Sequence, residues 1–284
     1  MSYPLIEHGG SGPALHWAGA TGFPSETNRA VLALLAERHR CVTMPPRPLW
    51  PDVGPAPSEP GSWEEYANDI DAGLREHGIE GAILVGHSYG GVASLIAAAR
   101  HPGRYRALVM LDPTLLPAVV LDHFRVAKAT GWRTPIPHPL AGRARERRSE
   151  FASRDEAFDA WRGRKLFADW SDQSLRDYVN AGLVSNGSGF SLRWSPAWEA
   201  HSYESIYTEA WDEIPNLSPD LPVLLLWGGD SDTFVAASGE RFKQLAPWAT
   251  VEAVPGFGHL FPMAAPQETA RRILAWLMEQ GIDR

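Results

Sequence analysis

The sequence predicts an α/β fold with a mostly parallel central sheet, helices on both faces of that sheet, and an inserted helical cap. Short apolar runs alternate with amphipathic helical patterns up to residue 112 and again after residue 220. That alternation is typical of parallel strands joined by helices. Residues 113–219 carry helical patterns without a clear strand. We therefore expect a core of residues 1–112 and 220–284 and a cap of residues 113–219.

Local patterns predict each element in turn. The predicted strands span residues 5–7, 14–17, 41–44, 82–85, 107–111, 223–227 and 251–254. The predicted core helices span residues 26–38, 62–77, 91–99 and 266–280. The glycine-rich turn at residues 9–12 is expected to join the first two strands as a hairpin. In such sheets ligands bind at the carboxyl ends of the strands, so we expect the site to lie there, beneath the cap.

The composition is ordinary for a soluble globular protein: the 284 residues are 44% hydrophobic and 21% charged. The net charge of -8 argues against nucleic acid and against an anionic membrane surface as partners. The N-terminus has no basic leader followed by an apolar stretch, and the single cysteine, Cys41, cannot form an internal disulfide. We expect a cytoplasmic protein that acts on a small molecule. The sequence carries no indication of its oligomeric state.

The most specific motif is Gly-His-Ser-Tyr-Gly at residues 86–90, between the apolar run 82–85 and the helical run 91–99. The order strand, turn, helix makes this G-x-S-x-G pattern informative. Ser88 stands at the apex of the turn, where its hydroxyl is pushed clear of the sheet edge. Gly86 and Gly90 are required because a Cβ at either position would crowd the neighbouring backbone. Ser88 is therefore the candidate nucleophile.

A serine nucleophile needs a base and an acid that orients the base, and in such a sheet they follow in the order Asp or Glu, then His. His259 lies in a glycine-rich loop after the last predicted strand and is the candidate base. Asp230 and Asp232 both follow strand 223–227. We prefer Asp232 as the acid because it lies further past the strand end and has more reach toward His259. Asp112, at the end of the strand before the cap, is a third candidate.

Catalysis at Ser88 also needs backbone N–H donors where an oxyanion develops. The amide of Tyr89 is one candidate, because it follows the nucleophile and starts a helix whose dipole adds positive potential. The second donor is expected from the loop at residues 19–24, which follows an early strand.

These segments resemble the α/β-hydrolase superfamily, in the subgroup with a helical cap between the sixth and seventh sheet strands. The resemblance rests on residues 86–91, 228–232 and 258–259 and covers nearly the whole chain. The Gly-Phe-Pro-Ser-Glu segment at residues 22–26 is similar to the His-Gly-Phe-Pro loop of epoxide hydrolases. That match implies that the Phe23 amide is the second oxyanion donor. Some related enzymes place the acid where Asp112 stands.

Two departures from the family pattern refine what the resemblance implies. Thr21 stands where the loop usually has histidine, and the nucleophile is serine, whereas epoxide hydrolases and haloalkane dehalogenases use aspartate. Serine favours acyl chemistry. The resemblance therefore implies a serine hydrolase, esterase-like or lactonase-like, that needs no metal or organic cofactor. Ser88 would form an acyl-enzyme, and water activated by His259 would release the acid.

Two other kinds of function remain open on this fold. One is an acyltransferase, a C–C bond hydrolase or a lyase, which would keep the nucleophile and change the bond or acceptor. The other is a ligand-binding receptor with little turnover. A complete set of serine, histidine and aspartate argues against a receptor, because binding alone does not require it.

Several other residues receive weaker interpretations. Arg47, Trp50 and His87 are candidates for lining the pocket; the first two lie in a loop that follows a central strand. The arginine-rich run at residues 143–148 is interpreted as a solvated cap helix with local charge pairs. The histidines show no metal-ligand spacing, so we predict no metal site.

Overall fold

The structure is a computed structural model that describes residues 2–130 and 139–282. Within these residues the strands are β1 (Ile6–Gly9), β2 (Ala14–Ala18), β3 (Arg40–Thr43), β4 (Ile83–His87), β5 (Ala107–Leu111), β6 (Glu150–Phe151), β7 (Leu183–Ser185), β8 (Phe190–Leu192), β9 (Val223–Gly228) and β10 (Thr250–Val254). The helices are α1 (Arg29–Leu35), α2 (Glu64–Glu76), α3 (Tyr89–Arg100), α4 (Ala118–Ala129), α5 (Pro139–Glu146), α6 (Arg154–Arg162), α7 (Asp172–Gly182), α8 (Pro196–Glu204), α9 (Ala210–Glu213), α10 (Ala236–Leu245), α11 (Phe261–Ala264) and α12 (Pro266–Glu279).

The central sheet has seven strands in the order β1-β3-β2-β4-β5-β9-β10. Only β1 pairs antiparallel; the other neighbouring pairs are parallel. Side chains alternate across β4 and β5, so Leu84 and Leu108 pack with helices on one face, while Val85 and Val109 pack with α1 and α12 on the other. The predicted fold class, a mostly parallel sheet covered by helices on both faces, is confirmed.

The first two strands do not form the expected hairpin. β1 pairs with β3, and β2 lies on the far side of β3, where it also pairs with β4. The glycine-rich turn passes tightly against the chain that enters β3, because a Cβ at Gly10 would lie 2.0 Å from the carbonyl oxygen of His39. The turn therefore reverses the direction of the chain, but it spans the position of β3, which lies between β1 and β2.

The segment between β5 and β9 contains α4 to α9, and it also contains strands that the sequence did not reveal. β6, β8 and β7 form a small antiparallel sheet. Each is two or three residues long, which is too short to produce a readable alternation of polar and apolar residues. No helix among the described residues has both the length and the apolar character needed to cross a membrane.

Candidate active site

Ser88 lies at the turn between β4 and α3, as the motif predicts. Its backbone has φ 56° and ψ -116°, a conformation that side-chain-bearing residues rarely adopt and that marks stored strain. A Cβ at Gly86 would lie 2.3 Å from the carbonyl oxygen of Gly90, and one at Gly90 would lie 2.3 Å from that of Ala18. Both glycines are therefore required for the turn to pack against β2 and α3.

The imidazole of His259 reaches Ser88 from the loop between β10 and α11. Its Nε2 lies 2.9 Å from Ser88 Oγ, and its Nδ1 lies 2.7 Å from Oδ1 of Asp112. A carboxylate only accepts hydrogen bonds, so Nδ1 donates to Asp112 and Nε2 accepts from the serine hydroxyl. This arrangement allows the imidazole to receive the serine proton while its positive charge faces a carboxylate.

The acidic partner of His259 is Asp112, so the preference for Asp232 is corrected by the structure. Asp112 is fully buried at the end of β5, whereas Asp230 and Asp232 are exposed. Asp232 accepts a hydrogen bond from Thr233 Oγ1 at 3.3 Å. The physical reason is the strand order: β5 lies beside β4, so the residue after β5 lies next to the serine turn, whereas β9 is one strand further away.

The loop after β9, where the acid was expected, supplies hydrogen-bond donors instead. The amide of Gly228 donates to Asp112 Oδ2 and the hydroxyl of Ser231 donates to Oδ1, each at 2.8 Å. Ser231 Oγ in turn accepts from the amides of Thr233 and Phe234. Together with His259, these donors satisfy the buried carboxylate of Asp112.

The backbone amides of Tyr89 and Phe23, the two expected oxyanion donors, differ in whether they have a hydrogen-bond acceptor in the structure. Tyr89 is the first residue of α3, where helix N–H groups have no acceptor within the helix. The amide of Phe23 donates to the carbonyl oxygen of Ala20 at 3.1 Å, in a tight turn in which Gly22 has φ 81°. The Phe23 amide thus has an acceptor inside its own loop, and its role as the second oxyanion donor stays a prediction. Thr21, which replaces the family histidine, is buried in the same turn.

Thr114 is a residue of this site that the sequence did not reveal. Its Oγ1 lies 3.1 Å from Ser88 Oγ, and its amide donates to the carbonyl oxygen of Ser88 at 3.3 Å. No motif marks it; it comes to the site because it follows Asp112 by two residues at the end of β5.

His87 does not line a pocket as expected. It is fully buried, and its Nε2 donates to the carbonyl oxygen of His259 at 2.9 Å. Burial, reinforced by the nearby His259, lowers the pKa of His87 to about 3, so its imidazole is neutral at ordinary pH. His87 therefore holds the backbone of the base loop in position.

The other two pocket candidates, Arg47 and Trp50, lie in different surroundings. Arg47 borders a cavity of about 40 Å³ between α2 and α8 and binds Asp69 at 2.8 Å. Burial raises the pKa of Asp69, although Arg47 opposes that rise. Trp50 packs edge-on against Tyr3, with ring centroids 5.6 Å apart, and donates to the carbonyl oxygen of Pro45. The cavity beside Arg47 is also bordered by Tyr89. Its volume of about 40 Å³ is enough for about one water-sized group.

An apolar cluster formed mainly by the segment between β5 and β9 lies next to the base loop. Phe23, in the loop after β2, and Leu260, which follows His259, pack against side chains of this segment. The rings of Phe23 and Tyr178 are 4.9 Å apart. The remaining aromatic members of the cluster are Phe151, Phe158, Trp161, Phe167, Trp170 and Phe190. Apolar side chains thus pack against both loops that flank Ser88.

The arginine-rich run at residues 143–148 makes long-range contacts, which corrects the expectation of local charge pairs. Arg147 binds the buried Glu199 of α8 at 2.6 Å and donates to the hydroxyl of Tyr178 at 3.0 Å. Arg145 binds Glu204 of the same helix. Glu199 also lies against the loop after β2, because a Cβ at Gly22 would be 3.1 Å from its Oε1.

Across residues 2–130 and 139–282 no group of three or more His, Cys, Asp or Glu side chains could hold a metal ion. Cys41 is buried in the sheet, and burial raises the pKa of its thiol to about 12.

Comparison with known proteins agrees with this architecture. Residues 5–272 match the model of the alpha/beta hydrolase family. The sn-1-specific diacylglycerol lipase ABHD11 of Mus musculus is 24% identical over 285 residues, covering 98% of this chain and 85% of that protein. The crystal structure of E-2-(acetamidomethylene)succinate hydrolase superimposes with a TM-score of 0.74 at 21% identity, covering 96% of this chain and 94% of that one. The enol-lactonase from Burkholderia xenovorans LB400 gives a TM-score of 0.67 at 17% identity, with coverages of 97% and 96%. The chain is therefore an enzyme of the alpha/beta hydrolase family.

Proposed function

We propose that this enzyme is a cofactor-independent serine hydrolase that cleaves a small ester, lactone or related carbonyl substrate with an apolar body. The observation that carries the proposal is the hydrogen-bonded chain from Ser88 Oγ through His259 to Asp112, with distances of 2.9 and 2.7 Å. A serine hydroxyl is a weak nucleophile alone and becomes reactive when a base can remove its proton.

In the acylation half of the reaction, Ser88 Oγ attacks the substrate carbonyl carbon while its proton moves to His259 Nε2. The amide of Tyr89 donates to the oxyanion that forms, at the positive end of the α3 dipole. Asp112 faces the imidazolium. Collapse of the tetrahedral intermediate breaks the bond to the leaving group, which takes the proton from His259. The product of this half is an ester between Ser88 and the acyl group.

In the second half, water replaces the leaving group. His259 Nε2 removes one proton from water as its oxygen attacks the acyl carbon. The second intermediate collapses by breaking the bond to Ser88 Oγ, which takes the proton back from His259 and leaves a carboxylic acid product. Ser88 and His259 return to their starting states. No metal or organic cofactor takes part in either half.

The apolar body of the proposed substrate is supported by the cluster around Phe23 and Leu260. These two residues belong to the loops on either side of Ser88, and the cap cluster behind them is rich in aromatic rings. Such a surface favours apolar acyl groups, because burying them removes their surface from water. The names of two similar proteins, a diacylglycerol lipase and an enol-lactonase, also favour acyl substrates.

Covalent labelling tests the nucleophile directly. A fluorophosphonate should add one adduct to the wild-type protein, measured by intact mass, and none to Ser88→Ala. Ser188→Ala, in an exposed turn of the cap, is the matched control and should label like the wild type. A panel of p-nitrophenyl esters and lactones then ranks substrates. Ester cleavage that survives Ser88→Ala unchanged would remove the basis of the proposal.

The same assays test the base. We expect His259→Gln to lower kcat on one p-nitrophenyl ester by about 10³-fold or more, because the glutamine side chain cannot take the serine proton. His77→Gln, at an exposed histidine, is the control and should keep the wild-type rate. An active His259→Gln would contradict the role proposed for His259.

A further inference from the structure

We propose that Thr114 is a further catalytic residue, whose hydroxyl donates a hydrogen bond to Ser88 Oγ and stabilises that oxygen when it is the leaving group. This inference rests on the proposed function. The observation behind it is the 3.1 Å distance between Thr114 Oγ1 and Ser88 Oγ, at the atom that reacts.

The direction of this hydrogen bond follows from counting protons. The carboxylate of Asp112 accepts from Nδ1 of His259, so Nε2 of the same ring carries no proton and accepts from Ser88. The single hydroxyl proton of Ser88 is thus already directed to His259. Between Ser88 and Thr114, the donor is therefore Thr114.

The position of the threonine hydroxyl is fixed by the end of β5. The amide of Thr114 donates to the carbonyl oxygen of Ser88, and the neighbouring Leu115 is fully buried. Thr114 also approaches Ser88 from the side opposite the oxyanion loop, because β4 lies between β2 and β5 in the sheet. The Thr114 hydroxyl therefore contacts Ser88 Oγ. A donor from the loop after β2 would instead contact the substrate oxygen, so the two roles are separate.

The chemical benefit comes when Ser88 Oγ carries negative charge. When the acyl-enzyme is hydrolysed, the bond between the acyl carbon and Oγ breaks and its electron pair moves onto Oγ. The proton from His259 then neutralises Oγ. Until it arrives, the bond from Thr114 has a charged acceptor, and such bonds are about twice as strong as neutral ones. An interaction that strengthens in the transition state lowers the barrier.

The experiment compares variants that remove the hydroxyl with one that keeps it. Thr114→Val preserves the branched shape and Thr114→Ala provides a second variant without the hydroxyl, while Thr114→Ser retains it. We expect Thr114→Val and Thr114→Ala to lower kcat on a p-nitrophenyl ester, and the decay rate of the acyl-enzyme followed by intact mass, about tenfold. Thr114→Ser should stay within about threefold of the wild type.

Two controls separate this inference from the proposed function and from folding. Thr130→Val, at an exposed threonine that follows α4, should leave the rates unchanged. If Ser88→Ala abolishes activity while both hydroxyl-free variants keep wild-type rates, the role of Thr114 is wrong and the proposed function stands. Equal losses in all three variants, Thr114→Ser included, would indicate a packing role and also overturn the inference. Full activity in Ser88→Ala would overturn both.

Discussion

Ser231 donates a 2.8 Å hydrogen bond to Oδ1 of Asp112, the same oxygen that accepts from His259 at 2.7 Å. The two residues are 119 positions apart, and the contact joins the loop after β9 to the end of β5. Ser231 lies between the two aspartates that the sequence favoured as the acid. The loop after β9 therefore does not supply the acid; it donates hydrogen bonds to the carboxylate of Asp112 at the end of the neighbouring strand β5.

Replacing the acid should reduce turnover far more at Asp112 than at Asp232. Asp112→Asn keeps the size of the side chain, but its amide can donate to Nδ1, which favours the wrong imidazole tautomer. We expect kcat to fall about 10³-fold or more. Asp232→Asn and Asp230→Asn are matched controls at exposed positions and should remain within about twofold of the wild type. A large loss in Asp232→Asn with an active Asp112→Asn would reverse the assignment. Circular dichroism checks that each variant is folded.

Removing the Ser231 hydroxyl should weaken catalysis moderately. Ser231→Ala deletes one of three donors to a buried carboxylate, and hydrogen bonds to charged groups contribute about 1.5–3 kcal/mol. We expect kcat to fall about tenfold, with KM nearly unchanged, because the imidazole is held less firmly. Steady-state kinetics on the best ester measure this. Unchanged kcat in a folded Ser231→Ala would mean that Gly228 and His259 suffice to hold Asp112.

Gly90→Ala should disrupt the turn at Ser88. The added Cβ would lie 2.3 Å from the carbonyl oxygen of Ala18, and backbone atoms of a central strand cannot move aside cheaply. Overpacking of this kind costs about 1–3 kcal/mol, and fluorophosphonate labelling should slow at least about tenfold. Gly142→Ala on α5 has open space around the new methyl group. It should match or exceed the stability of the wild type in thermal unfolding. Normal labelling of Gly90→Ala would show that the close approach is not required.

Glu199 is buried and its partner Arg147 is partly buried, so removing the arginine alone should destabilise the protein more than removing both charges. Arg147→Met leaves Glu199 buried without its cation and should lower the free energy of unfolding by about 3 kcal/mol. Replacing both residues with Met should recover most of that loss, because the unpaired charge is gone. Arg143→Met, an exposed arginine of α5, is the control and should change little. Urea unfolding of the four proteins gives the comparison. Equal stability of the single and double variants would argue against burial of the charge.

The protein should lose stability below neutral pH through its buried histidines. Burial lowers the pKa of both His16 and His87 from 6.5 to about 3. Between these values the unfolded chain binds protons that the folded chain does not, so stability is complete above pH 6.5 and falls as the pH is lowered toward 3. At pH 5 each histidine should reduce the free energy of unfolding by about 2 kcal/mol.

A variant isolates this histidine effect from that of the carboxylates. His16 Nε2 accepts from the amide of Met44, and the side-chain oxygen of His16→Gln can accept in its place without titrating. The difference in unfolding free energy between pH 7 and pH 5 should shrink by about 2 kcal/mol in His16→Gln. It should be unchanged in the control His77→Gln, at an exposed histidine. An equal pH dependence in all three proteins would contradict the low pKa of His16.

The sequence by itself determined the fold class, the turn at Ser88 and the late histidine, because these depend on local patterns and on chain order. Only the tertiary structure decided which acid serves His259, that Thr114 touches Ser88, and that the Phe23 amide closes a turn within its own loop. Asp112 and His259 are 147 positions apart, and their contact is set by the order of β4, β5 and β9 in the sheet. A local sequence pattern carries no information on which strands lie side by side in the sheet. Because β5 and not β9 lies beside β4, Asp112 and not Asp232 is the acid that contacts His259.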